Sequence, residues 1–292
     1  MDLLVLIGLS CAMMVNIFSI FWNYKKKEEI QEILEILSHK NDKKKFTSYK
    51  VAICIAYLFL VIGNIMQSCG MGNVFDELKE ISLPIKILFN SVNMIANIIN
   101  IGPFLAFVII YCHICTQIVS YLEIINQNFG TCTEYNNLSN DLRNLFENGI
   151  KKANDIFSLP LFFIISSSLV SMTFNVYITI AITFNFTLNQ ENALSFFIVS
   201  FFSYAIFVIT VLCILNFMSS AVTKSLESLY FTINSNENTV KINLKSMENF
   251  KGFDACGFFT LGKPLLTSIT TNFTTYLIVL IQFKMSEIQK IS

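Results

Sequence analysis

The stretch LSFFIVSFFSYAIFVITVLCILNFM, residues 194–218, carries no charged side chain over its whole length. A helix needs about 20 predominantly apolar residues to cross the hydrocarbon core of a bilayer, so this stretch predicts a transmembrane helix. Other stretches of the chain meet the same requirement. Together they predict six spans, at residues 3–22, 51–69, 85–110, 156–184, 194–218 and 258–283.

The composition of the whole chain agrees with a membrane protein. Of its 292 residues, 54% are hydrophobic and 14% are charged, and the mean hydropathy is +0.60. A soluble domain has about 25% charged residues, and a lipid bilayer is the natural solvent for so much apolar surface. We therefore predict an all-α fold, a polytopic membrane helix bundle. No basic patch is interleaved with aromatic residues, so we expect no nucleic-acid partner.

The lysines define the predicted orientation. The loop NYKKKEEIQEILEILSHKNDKKKF, residues 23–46, follows the first span and contains seven lysines. The positive-inside rule places this loop in the cytoplasm and the N-terminus outside. No basic residue precedes the first apolar run, so we do not expect that run to be a signal peptide. Threading six spans puts the C-terminus outside as well, in a multi-pass protein of the plasma membrane.

The two long inner segments, 113–155 and 219–257, are predicted to be more than linkers. In the first of them apolar residues recur at helical spacing, namely Ile118, Tyr121, Ile125 and Phe129, and then Leu138, Leu142, Leu145 and Phe146. This pattern predicts helices that continue into the cytoplasm and pack on each other. Contacts between subunits and simple capping of the bundle are both open as roles for them.

The third predicted span carries a stripe of asparagines. Asn90, Asn93, Asn97 and Asn100 are spaced so that all four fall within a narrow arc of one helix. An amide facing lipid is costly, so the stripe is expected to face protein or water. Hydrogen bonding between helices and the wall of a ligand cavity are both open interpretations. Gly102-Pro103, just below the stripe, predicts a kink.

The sixth predicted span begins with a polar half. Seven of the nine residues in TSITTNFTT, residues 267–275, are polar, so this half is expected to lie among other helices or beside water. Thr271, Thr275, Ile278 and Gln282 share one face. A face of this kind favours a conduit. Threonines that bond to their own backbone in a packed helix are the alternative.

An enzymatic role finds no support in the sequence. The chain has two histidines, and the segment Cys112-His113-Ile114-Cys115 has no second pair of ligands to complete a structural metal site. No nucleophile elbow, zinc-protease motif or phosphate-binding loop is present. We therefore expect no catalytic residues, no metal and no cofactor.

The end of the sixth span carries a specific motif. TYLIVLIQF, residues 275–283, resembles the signature TYhhhhhQF (h, hydrophobic) of the last helix of insect gustatory receptors, and the similarity extends upstream to residue 255. That family has seven spans and a cytoplasmic N-terminus. The basic loop here resembles the loop between the family's second and third helices, so the chain is expected to lack the family's first helix. Gly262-Lys263-Pro264 is a second departure, since family members often carry an acidic residue and no proline there.

The resemblance implies a ligand-gated, non-selective cation channel that detects tastants. It further implies a homo- or heterotetramer with other gustatory receptors, in which residues 258–292 form the pore-lining helix and the extracellular C-terminus. Residues 1–257 would then provide the ligand-binding and anchor helices. The pore and gate residues implied by the motif are Thr275, Tyr276, Ile278, Gln282 and Phe283.

The ligand is expected to be a small-molecule tastant bound in the outer half of each subunit. Asn93, Asn97 and Tyr177 are candidates for that site because of their polarity alone. The sugar-receptor branch of the family tends to carry Glu after the motif's Tyr, where this chain has Leu277, which favours a non-sugar ligand, a bitter or other compound. A G-protein-coupled receptor and a small-solute transporter are the alternative functions.

Overall fold

The computed structural model describes residues 17–18, 20–38, 51–59, 61–63, 65, 83–129, 135–185, 191–235 and 250–291. In this part of the chain the helices are α1 (Lys27–Ser38), α2 (Leu83–Phe129), α3 (Tyr135–Asn144), α4 (Lys152–Asn185), α5 (Glu191–Ser235) and α6 (Lys263–Ile291). A π-helical segment, Leu145–Lys151, joins α3 to α4. Two short antiparallel strands, β1 (Asp254–Ala255) and β2 (Phe259–Thr260), form a β-hairpin just before α6.

Three stretches of the described helices are long and apolar enough to cross a bilayer: Gly102–Asn128, Asn140–Val170 and Ile198–Asn234. They overlap the third, fourth and fifth predicted spans, and they confirm the predicted all-α membrane bundle. Residues 51–59 and 61–63 of the second predicted span are helical. Most of the first predicted span lies outside the described residues.

The helices extend well beyond the thickness of a membrane. The α2 helix has 47 residues and α5 has 45, which corresponds to about 70 Å each at the usual rise, against about 30 Å of hydrocarbon. Ile118 and Ile125 on α2 are buried, as are Leu142 and Leu145 on the neighbouring segment. The predicted inner segment is therefore helical at 113–129 and 135–155, and its place in the cytoplasm stays a prediction.

Two proline sites differ in their consequences. The α2 helix continues through Pro103 and does not end there. The sixth predicted span begins at Lys263 and not at Phe258, because residues 254–260 form the β-hairpin instead. Pro264 lies in the first turn of α6, where its missing N–H has no helical partner to lose.

Aromatic rings connect the hairpin to the helices. The ring of Tyr111 on α2 meets Phe157 of α4 edge-on at 5.3 Å and Phe253, just before β1, at 5.4 Å. Tyr111, Phe157 and Phe253 are all fully buried. Edge-to-face contacts of this kind add stabilisation beyond the burial of the rings, so the segment preceding the last helix is part of the main core.

The segment made of the helical residues 20–25 and of α1 packs along α4. The indole nitrogen of Trp22 donates a hydrogen bond to the carbonyl oxygen of Ile156 at 2.9 Å. Further along, the ammonium group of Lys152 forms an ion pair with Glu32 at 2.5 Å. Trp22 thus meets Ile156, whereas the later residue Glu32 meets the earlier residue Lys152. This segment and α4 therefore run antiparallel.

Candidate functional site

Most of the last helix is left uncovered by the rest of the described chain, since from Thr270 to Phe283 its described side chains are exposed, apart from the half-buried Ile281. Leu265 and Ile269 near its start are buried against the bundle, and α6 contacts both α4 and α5. The predicted pore face, comprising Thr271, Thr275, Ile278 and Gln282, is exposed at all four positions. We call these four residues the open face of α6. The structure brings them together on one side of the helix, as the spacing predicted.

The threonine hydroxyls on this helix bond to their own backbone. Thr274 donates to the carbonyl oxygen of Thr270 at 2.9 Å, and Thr275 donates to that of Thr271 at 3.0 Å. Such bonds use the hydroxyl proton, as the packed-helix interpretation expects. The oxygen lone pairs remain available, and both threonines are exposed. Thr275 therefore presents an acceptor oxygen on the open face, and Thr274 presents another beside it.

The aromatic residue at the end of the motif is also exposed. Phe283 has 69% of its surface accessible and follows Gln282, which is exposed as well. The backbone of Tyr276 is helical, and its side chain lies outside the described residues. An amide and an aromatic ring thus stand next to each other, about 10 Å along the helix from Thr275.

The three ligand candidates lie on described backbone, but their side chains lie outside the described part. Asn93 is about 27 Å along α2 from Tyr111, and Tyr177 is about 30 Å along α4 from Phe157. The rings of Tyr111 and Phe157 meet, and α2 and α4 are predicted to cross the membrane in opposite directions. The candidates are therefore expected at similar distances from this contact, on the same side of it.

The β-hairpin before α6 turns over three residues, Cys256–Phe258, which lie between the paired Ala255 and Phe259. Cys256 and Gly257 both have positive φ, 54° and 76°, and the N–H of Phe258 donates to the carbonyl oxygen of Ala255 at 3.1 Å. Positive φ at both central residues is the pattern of a type I′ turn, whose twist matches that of paired strands. The side chain of Asp254 accepts a further hydrogen bond from the N–H of Gly257 at 2.8 Å.

Side chains from two helices hold this hairpin. From α4, the amide oxygen of Asn154 accepts from the N–H of Asp254 at 2.7 Å, and the hydroxyl of Ser158 accepts from the N–H of Cys256 at 2.8 Å. From α5, the hydroxyl of Ser219 accepts from the N–H of Phe253 at 3.1 Å and donates to the carbonyl oxygen of Leu261 at 3.0 Å. Backbone groups of the hairpin are thereby satisfied by its neighbours.

A glycine is required at the base of the hairpin. Gly252 has a φ of 125°, and a Cβ placed there would lie 2.7 Å from the carbonyl oxygen of Leu261. A side chain is disfavoured both by this backbone conformation and by the close approach. Since Ser219 bonds to Phe253 and Leu261, the tightest point of the hairpin coincides with its attachment to α5.

The cysteines of the CHIC segment are part of the core. Cys112 and Cys115 are fully buried on α2, beside the ring of Tyr111. Within the described ranges no group of three potential metal-ligating side chains comes together. The buried thiols act here as small apolar groups.

The sequence interpretation missed the residues that hold the hairpin. Ser219, Asn154 and Ser158 lie in apolar or mixed segments without a motif, and their partners lie 34 to 100 residues away. One signal was available, because Cys256-Gly257 between apolar residues is a dipeptide that suits a hairpin turn. That signal was not used, because residues 258–262 were assigned to the sixth predicted span.

Comparison with known proteins agrees with this architecture. No curated protein matches the chain. A sequence model of the family described as 7tm Chemosensory receptor matches residues 1–287, which include the helices, the hairpin and the motif at the end of α6. The predicted recognition is therefore confirmed at the level of the family. The chain belongs to the 7tm chemosensory receptor family.

Proposed function

We propose that the protein is a ligand-gated, non-selective cation channel that detects small-molecule tastants, with non-sugar and bitter compounds favoured. The observation that carries the proposal is the open face of α6, where two threonines and a glutamine are exposed on one side of the helix within the described part of the chain. In a bilayer such a face is costly against lipid. Copies of α6 around a shared axis would place it against water.

The chemistry of the open face favours cations. Thr275 on the open face and the neighbouring Thr274 donate their hydroxyl protons to the backbone, so their oxygens remain as acceptors. Acceptor oxygens replace part of the hydration shell of a cation, whereas an anion needs donors. The gate is proposed at Gln282 and Phe283, where an exposed ring and amide can close a narrow passage by excluding water.

The assembly is proposed as a homo- or heterotetramer with other gustatory receptors. Residues 258–292 supply the pore helix and residues 1–257 the ligand-binding and anchor helices. Phe231, on the inner part of α5, is 72% exposed. It lies on the same face as Lys224 and Glu227, which suit water and not lipid. A large exposed ring among charged residues favours contact with another subunit.

The ligand site is proposed in the outer half of each subunit, with Asn93, Asn97 and Tyr177 as its polar residues. Their similar height along α2 and α4 supports a common site, and amides beside a phenol suit a polar organic compound. The protein is placed in the plasma membrane with both termini outside. This placement rests on the lysines of the loop at 23–46.

Cysteine accessibility under voltage clamp tests the pore. We expect a cysteine at Thr275 or Gln282 to react with a charged methanethiosulfonate reagent and to reduce the agonist-evoked cation current. Ile269→Cys is the matched control, because Ile269 is buried against the bundle and its replacement should not react. Saturable substrate flux without current would favour a transporter. If Thr275→Cys reacts as little as Ile269→Cys, a pore at this face is contradicted.

A further inference from the structure

The β-hairpin lies at the level where four of the predicted spans end. Hydropathy alone placed one end of the first, third, fourth and fifth spans at residues 22, 110, 156 and 218. Ends that were predicted independently meet in the structure, as they would at the surface of a bilayer. The residues beside those ends that contact each other or the hairpin are Trp22, Ile156, Tyr111, Ser158 and Ser219.

The tip of the hairpin carries a large exposed ring. The three turn residues, Cys256–Phe258, are all exposed. Phe258 has 73% of its surface accessible, although its ring contacts that of Phe162 on α4 at 5.1 Å. A single exposed apolar side chain needs no explanation, whereas a contiguous apolar surface does. The surroundings of Phe258 therefore decide what the exposed ring means.

A row of aromatic rings runs from this tip to the first segment of the chain. Each ring keeps part of its surface accessible. Aromatic side chains collect at the boundary between hydrocarbon and water, where tryptophan is a typical member of such a belt. Neighbouring ring centroids lie 4.6 to 5.7 Å apart along the series Phe258, Phe162, Phe163, Phe18 and Trp22. We call these five residues the aromatic row.

The first segment indicates what covers the aromatic row. Before Trp22 the exposed side chains Ile17, Ile20 and Phe21 are apolar. After Trp22 the exposed side chains include Lys25 and Lys27, and the ammonium group of Lys26 lies 5.8 Å from the centre of the Trp22 ring. A change from apolar residues to lysines matches the change from acyl chains to lipid phosphates. The row therefore starts at headgroup level on a lipid-facing surface.

We propose that the tip of the hairpin, Cys256–Phe258, docks into the bilayer leaflet on the lysine side, with the ring of Phe258 inserted between lipid headgroups. The partner is the lipid surface itself. The strands stay attached to α4 and α5 through the side chains of Asn154, Ser158 and Ser219. The hairpin is thus an interfacial anchor that does not cross the membrane.

This anchor determines the depth of the last helix. Gly262 is the single residue between Leu261 and the start of α6, so the depth of the hairpin fixes the depth of Lys263. From Lys263 to the exposed ring of Phe283, α6 rises about 30 Å, the thickness of the hydrocarbon core. A tip held among the headgroups of one leaflet therefore places Phe283 at the opposite surface.

The chain contains one tryptophan, so fluorescence can measure the depth of the tip. Combining Trp22→Phe with Phe258→Trp moves the single tryptophan to the hairpin. The full chain is reconstituted in phosphatidylcholine vesicles, with bromine either near the top or near the end of the acyl chains, or without bromine. Iodide on both sides of the vesicles reports exposure to water.

We expect bromine near the top of the acyl chains to lower the emission of the tip tryptophan by about half or more, because interfacial side chains lie just below the headgroups. Bromine near the chain ends should lower it less, and iodide should have little effect. The unmodified chain, with Trp22 in the aromatic row, should show the same order of quenching by the lipids.

The matched control combines Trp22→Phe with Phe231→Trp. Phe231 is 72% exposed, but it lies beside Lys224 and Glu227, so brominated lipids should leave its emission unchanged. If Trp22→Phe does not fold, Phe258→Trp is measured in the otherwise unchanged chain. The quenching of the unmodified chain is then subtracted.

Three results would overturn the inference. Quenching by iodide and not by brominated lipids would place the tip in water. Quenching by neither would mean that protein covers the tip, a second copy of the chain included. Stronger quenching from the chain ends than from their tops would place the ring inside the hydrocarbon, away from the headgroups. The measurement needs no current, so its result is independent of the channel proposal.

Discussion

At the scale of single residues, the clearest prediction concerns a substitution of Gly252. Its φ of 125° and the 2.7 Å approach of a Cβ to the backbone oxygen of Leu261 leave no room for a side chain. We expect Gly252→Ala to destabilise the protein by about 2 kcal/mol or more, since strain and steric overlap add. The melting temperature of purified protein in detergent measures the effect.

The matched control for Gly252 lies in the same hairpin. Gly257 also has a positive φ, 76°, but a Cβ there would meet nothing within 4 Å. Asparagine tolerates this left-handed conformation, so Gly257→Asn should change the melting temperature much less. Equal losses for the two variants would mean that backbone conformation alone, and not the contact with Leu261, makes glycine necessary at residue 252.

The same residues show what a sequence can and cannot predict. The open face of α6 was predicted from the spacing of Thr271, Thr275, Ile278 and Gln282, because helical periodicity is a local property. Ser219 could not be found in this way. Its role depends on a hairpin 34 or more residues later in the chain, and no local pattern records which buried serine meets which backbone group.

At the scale of the element, the proposed pore makes a prediction for the threonines of α6. Thr275→Val keeps the shape of the side chain but removes the outward-facing oxygen, so we expect single-channel cation conductance to fall severalfold. Thr210→Val on α5 is the matched control, because Thr210 forms the same bond to its own backbone, to Ile206 at 2.7 Å, on a helix outside the proposed pore. Single-channel recording distinguishes the two. An unchanged conductance in Thr275→Val would mean that the hydroxyl stripe does not line the ion path.

Element boundaries were less predictable than element types. The long apolar runs that became α2, α4 and α5 were identified from hydropathy because burial in lipid requires about 20 apolar residues whatever the tertiary contacts. The start of α6 was misplaced at Phe258, since the rings of Phe258 and Phe259 look like the beginning of a span. Both rings instead pack on Phe162 of α4, at 5.1 and 6.3 Å, from the hairpin.

At the scale of the whole molecule, the exposed face of α5 predicts where subunits meet. Phe217 and Phe231 lie on the same face, about 21 Å apart along the helix, and are 70% and 72% exposed. Lys224 and Glu227 lie between them, and charged side chains suit water and not lipid, so we expect Phe231 to lie outside the bilayer. A ring of this size gains about 1.5–3 kcal/mol when it is buried, and the proposed tetramer would have four equivalent sites.

We therefore expect Phe231→Ser to weaken the assembly and to shift the protein toward smaller species in native electrophoresis after mild detergent extraction. Lys224→Ser changes a charge on the same face without removing apolar area, and it should leave the tetramer intact. Phe217→Ser compares the two environments. It should leave the assembly unchanged, because a ring that faces lipid contributes nothing to it. If Phe231→Ser and Lys224→Ser migrate alike, the subunits do not meet at this face, and the exposed ring of Phe231 requires a partner other than a second copy of the chain.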